Sequence, residues 1–200
     1  MDWESIKANF TKRGFFAYLC KDAEDVKRTL LEEVLSETIE IVGFGNSQTC
    51  RDLGLIPWIR ERALEVHLHD PQHYSPAEDH RAQQAGIYFA SANAVSQEGH
   101  IVNIDGTGNR VSATCYGPDH VIFIVGENKI ADTLEHAVEK AKEAAVKIAR
   151  RYNRKTPCVV TGKCEDCLSP ECVCGVMTIH RRALKGNRIS VLFVQQELGL

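Results

Sequence analysis

Strand-like and helix-like stretches alternate through most of this 200-residue chain, and that alternation restricts the fold more than any other feature. Buried or alternating apolar runs at 38–45, 65–70, 86–95, 100–106, 109–117, 119–126 and 188–200 read as strands. Between them, 22–35, 46–55, 56–63, 76–84 and 132–152 carry the spacing or capping residues of helices. Parallel strands need crossover helices and become covered on both faces. The pattern therefore predicts an α/β fold with a mostly parallel central sheet flanked by helices.

The ends are less regular. Trp3, Ile6 and Phe10, then Phe15, Phe16 and Leu19 after a break at Lys12–Gly14, suggest N-terminal helices over residues 1–37. The clearest helix is 132–152, with Asp132 as N-cap, Glu135 three residues on, and Leu134, Val138, Ala141, Ala145, Ile148 and Ala149 as its buried stripe. Its charges read as a solvated face. There is no internal repeat or low-complexity linker, so residues 1–200 form one expected domain, with an irregular cysteine-rich segment at 156–176 inside it.

Five of the eight cysteines lie in that segment: Cys158, Cys164, Cys167, Cys172 and Cys174. Thiols this close together make either a disulfide knot or a soft-metal site. A chain of this length can bury a core without covalent staples, and Met1-Asp-Trp-Glu-Ser opens with no apolar run of a signal peptide. The expectation is thus a cytoplasmic protein with reduced cysteines. Two readings stand: metal or iron–sulfur ligation, and reduced structural or redox thiols. The isolated Cys20, Cys50 and Cys115 read as small buried hydrophobes.

Charge and hydropathy exclude other classes. A formal net charge of −3 gives no basic field for nucleic acid. No apolar run approaches the ~20 residues that span a membrane, so no membrane insertion is expected.

Three segments carry candidate ligand chemistry. In 103–111, Arg110 can clamp a carboxylate or phosphate, with Asp105 and Asn109 orienting it and Gly106 and Gly108 allowing close backbone approach. The bland alternative is a hairpin turn in which Asp105 caps its own backbone. Read as strand–GxG–strand, the segment fails the dinucleotide-binding pattern, which requires a following helix. The turn Gly43–Thr49, with Gly45, Asn46 and Ser47 at its centre, leads into a helix and can face an anion, but it lacks the lysine of a nucleotide-hydrolysing loop. Asn93 and Glu98 follow a strand; Glu98 is either a general base or nucleophile, or a solvated turn acid. His67, His69, His73 and His80 lack a carboxylate at a recognisable spacing and make only a weak metal case.

Residues 91–130, SANAVSQEGHIVNIDGTGNRVSATCYGPDHVIFIVGENKI, resemble the core of the LUD domain, the DUF162 lactate-utilisation family. VGFGNSQTCRDLGL at 42–55, TPCVVTGKCEDC at 156–167 and the closing RISVLFVQQELGL are similar to its other parts. The resemblance implies a fold like that of sugar-phosphate isomerases and CoA-transferases, and a role beside iron–sulfur proteins that oxidise lactate. It implies Cys158, Cys164, Cys167 and Cys174 as ligands of a [4Fe–4S] cluster, with zinc as the alternative. Cys172 stands where the family would carry a basic or variable residue, which leaves the fourth ligand open; Asn46 replaces an expected glycine. On this reading Glu98, Asp105 and Arg110 are catalytic. Gly45, Asn46, Ser47, Asn93, Gly106, Gly108, Asn109, Asn128 and Lys129 contact a small carboxylate or phosphate, and the partner is an iron–sulfur redox protein. Two other functions stay open: a stand-alone CoA-transferase-like or sugar-phosphate enzyme using Glu98, and a non-catalytic metal- or redox-sensing module. The terminal strand can pair at a sheet edge, so a homo-oligomer is a further expectation.

Overall fold

The computed structural model describes residues 1–35, 39–70, 73, 75–186 and 188–199. The end of the expected N-terminal region at 36–37, the strand start at Thr38, much of the loop at 71–74, Asn187 and Leu200 lie outside the described residues.

Six strands form a parallel sheet: β1 (Phe16–Cys20), β2 (Ile39–Phe44), β3 (Ala63–Leu68), β4 (Ile87–Ala90), β7 (His120–Gly126) and β10 (Arg188–Val194). They lie side by side in the order β1-β10-β7-β4-β2-β3. All seven residues of β7 are buried. Its alternate side chains feed two cores, as period-two geometry requires. Val121, Phe123 and Val125 join Ile6, Phe10, Tyr88 and Phe193 on one face. Ile122 and Ile124 join Val26, Leu30, Phe44, Leu55, Ile59 and Phe89 on the other. Truncating a side chain here, Phe123 to alanine for instance, costs about 3–5 kcal/mol through lost burial and the cavity left behind.

Helices α1 (Trp3–Lys12), α2 (Ala23–Thr29, continued by a π-helical turn at Leu30–Val34), α3 (Gln48–Asp52), α4 (Leu55–Arg60) and α5 (Pro76–Gln83) cover this sheet. A second sheet, in the order β8-β5-β6-β9, combines β5 (Ala94–Ser96), β6 (Ile101–Asp105), β8 (Ile130–Ala131) and β9 (Val176–His180). It packs on α7 (Leu134–Arg151) through Ala94, Val102, Ile104, Ala131, Ala137, Ala141 and Ala145. Alanines on the helix let its axis approach the sheet closely. Among the described residues the remaining helices are α6 (Asn109–Cys115), α8 (Pro157–Thr161) and a single 3-10 turn at Glu127–Lys129.

Four local expectations change. Residues 16–20 form a strand instead of helix, because β10 gains a parallel partner from Phe16↔Ser190 to Cys20↔Val194. The stretch 86–95 divides at Ser91–Asn93 into β4 and β5, which belong to different sheets. Residues 109–115 are helical: the Asp105 carboxylate accepts from the backbone N–H groups of Thr107, Gly108, Arg110 and Val111 at 3.0–3.3 Å, and this satisfies the donors that a helix start exposes. The N-cap of α7 is Thr133, which accepts from His136 N, and not Asp132.

Candidate functional site

Chain order reverses between β2 and β4. From β2 the chain moves outward to β3; from β4 it moves the other way to β7. The loops beyond the carboxyl ends of these two strands therefore diverge, and open α/β sheets bind ligands in the crevice so formed. A cleft of about 830 Å³ lies there, lined by Gly45–Thr49 after β2, His69 and Asp70 after β3, Ser91–Asn93 after β4, and Lys129 beyond β7. The loop joining β6 to α6 and the C-terminal end of α7 complete its walls.

Arg110 is held in place before any ligand arrives. Its Nη2 donates to Asn93 Oδ1 at 2.9 Å and to the Ile104 carbonyl at 2.5 Å, and its Nε lies 3.8 Å from Asp105. Among the described residues Nη1 makes no hydrogen bond and is available to the cleft. Gly45 lets the arginine stem pass: a Cβ there would stand 2.6 Å from Tyr88 Oη and 3.1 Å from Arg110 Cγ. Asn46 takes φ 51°, the left-handed region that glycine favours and asparagine tolerates, which accounts for asparagine where the family resemblance implied glycine.

Lys129 is 6% exposed, yet it lines the cleft. It donates to Thr49 Oγ1 at 2.9 Å and to Ser91 Oγ at 2.8 Å, and these hydroxyls also bond each other at 3.2 Å. No carboxylate pairs with it among the described residues. Burial, and secondarily the Arg110 charge, push its amine down to about 8 from the ordinary lysine value. Arg51, Arg151 and Arg154 add cations at the rim, against Asp70, Asp105 and Glu171. The Asp105 charge is already taken up by four backbone donors, so the cleft is electropositive and suits an anionic ligand.

A second, smaller cavity lies beside α7. Cys158, Cys164, Cys167, Cys172 and Cys174 all line it. All eight cysteines are free thiols. Among the described residues no group of three or more His, Cys, Asp or Glu side chains is arranged to hold a metal ion. The donors nonetheless suit a soft cation in kind. The Cys174 thiol is pushed up to about 11 by burial of its sulfur and by Cys172, Cys164 and Cys167 close by, the mutual repulsion that a bound cation reverses. Cys172 and Val173 line both the cleft and this cavity. Gly106 packs against the same segment, since a Cβ on it would lie 2.9 Å from Val173 Cα.

Both features sit within a known family's domain: the LUD domain model matches residues 3–194. The chain belongs to the LUD domain family. No curated protein matches it significantly. The crystal structure of a DUF162 family protein from Deinococcus radiodurans shares the fold, with a TM-score of 0.51 at 18% identity over 96% of this chain and 94% of that one.

Within this LUD domain the structure brings together most of the residues expected from sequence. Gly45, Asn46, Ser47, Asn93, Asp105, Gly106, Asn109, Arg110 and Lys129 all line the cleft. Glu98 does not. It lies at the exposed tip of the β5–β6 hairpin, away from the end that carries Asn93 and Asp105, and accepts from Leu134 N at 3.0 Å as a cap on α7. Asp105 builds its loop, so the bland reading of that carboxylate describes its hydrogen bonds. Gly108 precedes α6 with φ 88°, and Asn128 exchanges hydrogen bonds with the Leu198 backbone; neither lines the cleft.

Two of these histidines find carboxylates after all, from α5 and β3. His67 lies 2.8 Å from Glu78 and 3.0 Å from Glu65, and His69 lies 2.7 Å from Asp79. Sequence reasoning missed Ser91, and it placed Thr49 in the anion-site turn without its bond to Lys129. It also treated Arg151 as a solvated charge, whereas that residue donates to Gln48 Oε1 at 2.8 Å and closes the rim. No sequence signal marked Ser91, because the strand expected over 86–95 runs through it and the break before β5 shows only in the sheet pairing.

Proposed function

We propose that this LUD domain protein binds the carboxylate of a 2-hydroxy acid, or of the corresponding 2-oxo acid, as one component of an iron–sulfur lactate-oxidising system. The family's link to lactate utilisation supports the substrate class. One observation carries the reading to this chain. Two cations, Arg110 with a free Nη1 and Lys129 with no carboxylate partner among the described residues, face one crevice at the reversal of strand order.

Arg110 receives the carboxylate, since a guanidinium matches its geometry and Asn93 and Ile104 already fix the orientation. Lys129, with Thr49 and Ser91, donates hydrogen bonds towards the C2 oxygen. Arg51, Arg151 and Arg154 raise the local concentration of anions. In the neighbouring cavity Cys158, Cys164, Cys167 and Cys174 would hold a [4Fe–4S] cluster, or zinc, with Cys172 facing the same space. When bound, a cluster supplies one-electron transfer to a redox partner. The version of a CoA-transferase-like enzyme that relies on Glu98 loses its support, because that carboxylate stands outside the cleft.

Calorimetric titration with lactate, pyruvate and inorganic phosphate tests this reading. Saturable binding of lactate or pyruvate, weakened at least about tenfold in Arg110→Met, is expected from the loss of a charge-assisted hydrogen bond. Binding of phosphate alone, or of none of the three, would contradict it.

A further inference from the structure

Lys129 is unusual among the cations of the cleft. Arg51, Arg151 and Arg154 stand at the rim, and lysine amines normally stay in water. This one is 6% exposed, and every hydrogen-bond partner it has among the described residues is a neutral hydroxyl. The chain also closes over it from the other side. A Cβ on Gly199 would lie 3.1 Å from its Nζ and 2.6 Å from Thr49 Oγ1, so only glycine permits that approach. Burying an amine without a counter-charge is unfavourable, and anion binding alone would be served equally well by a rim residue. Desolvation next to a second cation is the arrangement that turns a lysine into a nucleophile.

Resting on the carboxylate-binding reading above, we propose that the Lys129 amine condenses with the C2 carbonyl of a 2-oxo acid held in the cleft to form an imine. The amine nitrogen bonds to C2 while a proton passes from nitrogen to the carbonyl oxygen. Ser91 and Thr49, both within hydrogen-bond distance of Nζ, are placed to relay it. The resulting hydroxyl then leaves with the second amine proton as water, and the C2–N double bond forms. Carbonyl oxygen and two amine hydrogens depart together, so no oxidant or reductant is consumed. Arg110 keeps the carboxylate in place throughout. An amine near pKa 8 is about 10% neutral at pH 7, against less than about 0.1% for an ordinary lysine, so the free base is present when the ligand arrives.

Incubation of the whole protein with pyruvate and cyanoborohydride, followed by peptide mass mapping, tests this. An imine reduced in place leaves a permanent mass gain of pyruvate less one oxygen atom. The gain should fall on the peptide containing Lys129, depend on pyruvate, be absent with lactate, and vanish in Lys129→Met and Lys129→Arg. Because mapping is done on the unaltered chain, a variant that fails to fold does not decide the outcome. Calorimetric binding of pyruvate with no gain at Lys129, or a gain spread over surface lysines, would overturn the inference and leave the cleft reading standing. Lactate binding without pyruvate binding would overturn the inference alone, and binding of neither would overturn both.

Discussion

The cleft and the cysteine-lined cavity share a wall, Cys172 and Val173, but they are built in opposite ways. In the cleft nearly every polar group is held by another. Asp105 is taken by four backbone donors, Arg110 by Asn93 and Ile104, and Lys129 by two hydroxyls. Among the described residues, only the faces turned to the crevice remain open. In the cavity five thiols meet without a disulfide and, among the described residues, without an arrangement that holds a metal, and Cys174 is kept protonated by burial and by its neighbours. The contrast teaches that a ligand would enter the first region as found, whereas the second gathers thiols that no disulfide ties together.

Changes confined to one region sharpen that contrast. The largest effect is expected from replacing Cys158, Cys164, Cys167 and Cys174 together with serine. Iron or zinc uptake, measured by elemental analysis after anaerobic purification, should fall to background, since thiolates are the soft donors present. Lactate or pyruvate affinity should stay within about twofold, as additivity of separate sites implies. Next, Arg110→Met should weaken carboxylate binding about 10- to 100-fold without altering metal content.

Lys129→Met should separate stability from function. The lysine's pKa is depressed from 10.5 to about 8, so the unfolded chain holds more protons between those values. Stability of the native protein therefore rises as pH climbs from about 8 to 10.5, and below 8 the full penalty of a buried charge is present. Denaturant unfolding at pH 7 should show the methionine variant more stable by about 1–3 kcal/mol, with the advantage shrinking at pH 10 while anion affinity is lost. A variant less stable at pH 7 would mean that the hydroxyl contacts outweigh desolvation. The smallest effect belongs to Glu98→Gln. It removes charge from an exposed cap on α7, costs under about 1 kcal/mol in chemical denaturation, and should leave binding unchanged.

Much of this was legible in the sequence because it depends on local pattern. The runs that became β2, β4, β7 and β10 are nearly all apolar, as strands covered on both faces must be, and their order made the sheet parallel. The cleft residues follow from where such strands end. What escaped depends on distant partners. Phe16–Cys20 is a strand because β10 needs a neighbour 170 or more positions along the chain. Asn109–Cys115 is a helix because one carboxylate gathers its first donors. Glu98 looked like a catalytic acid because its type and loop position are right, and only the hairpin geometry turns it away from the cleft. Nothing local reveals that Lys129 is buried between two hydroxyls that precede it by 80 and 38 positions.

The account rests on the cleft being complete in the metal-free chain. Its most direct test is a calorimetric titration of pyruvate and lactate into protein stripped of metal by a chelator under reducing conditions, with Arg110→Met as the control. Saturable binding that the Arg110 change weakens at least about tenfold is the predicted result. No binding until iron or zinc is restored would contradict it, because the two regions would then form one site.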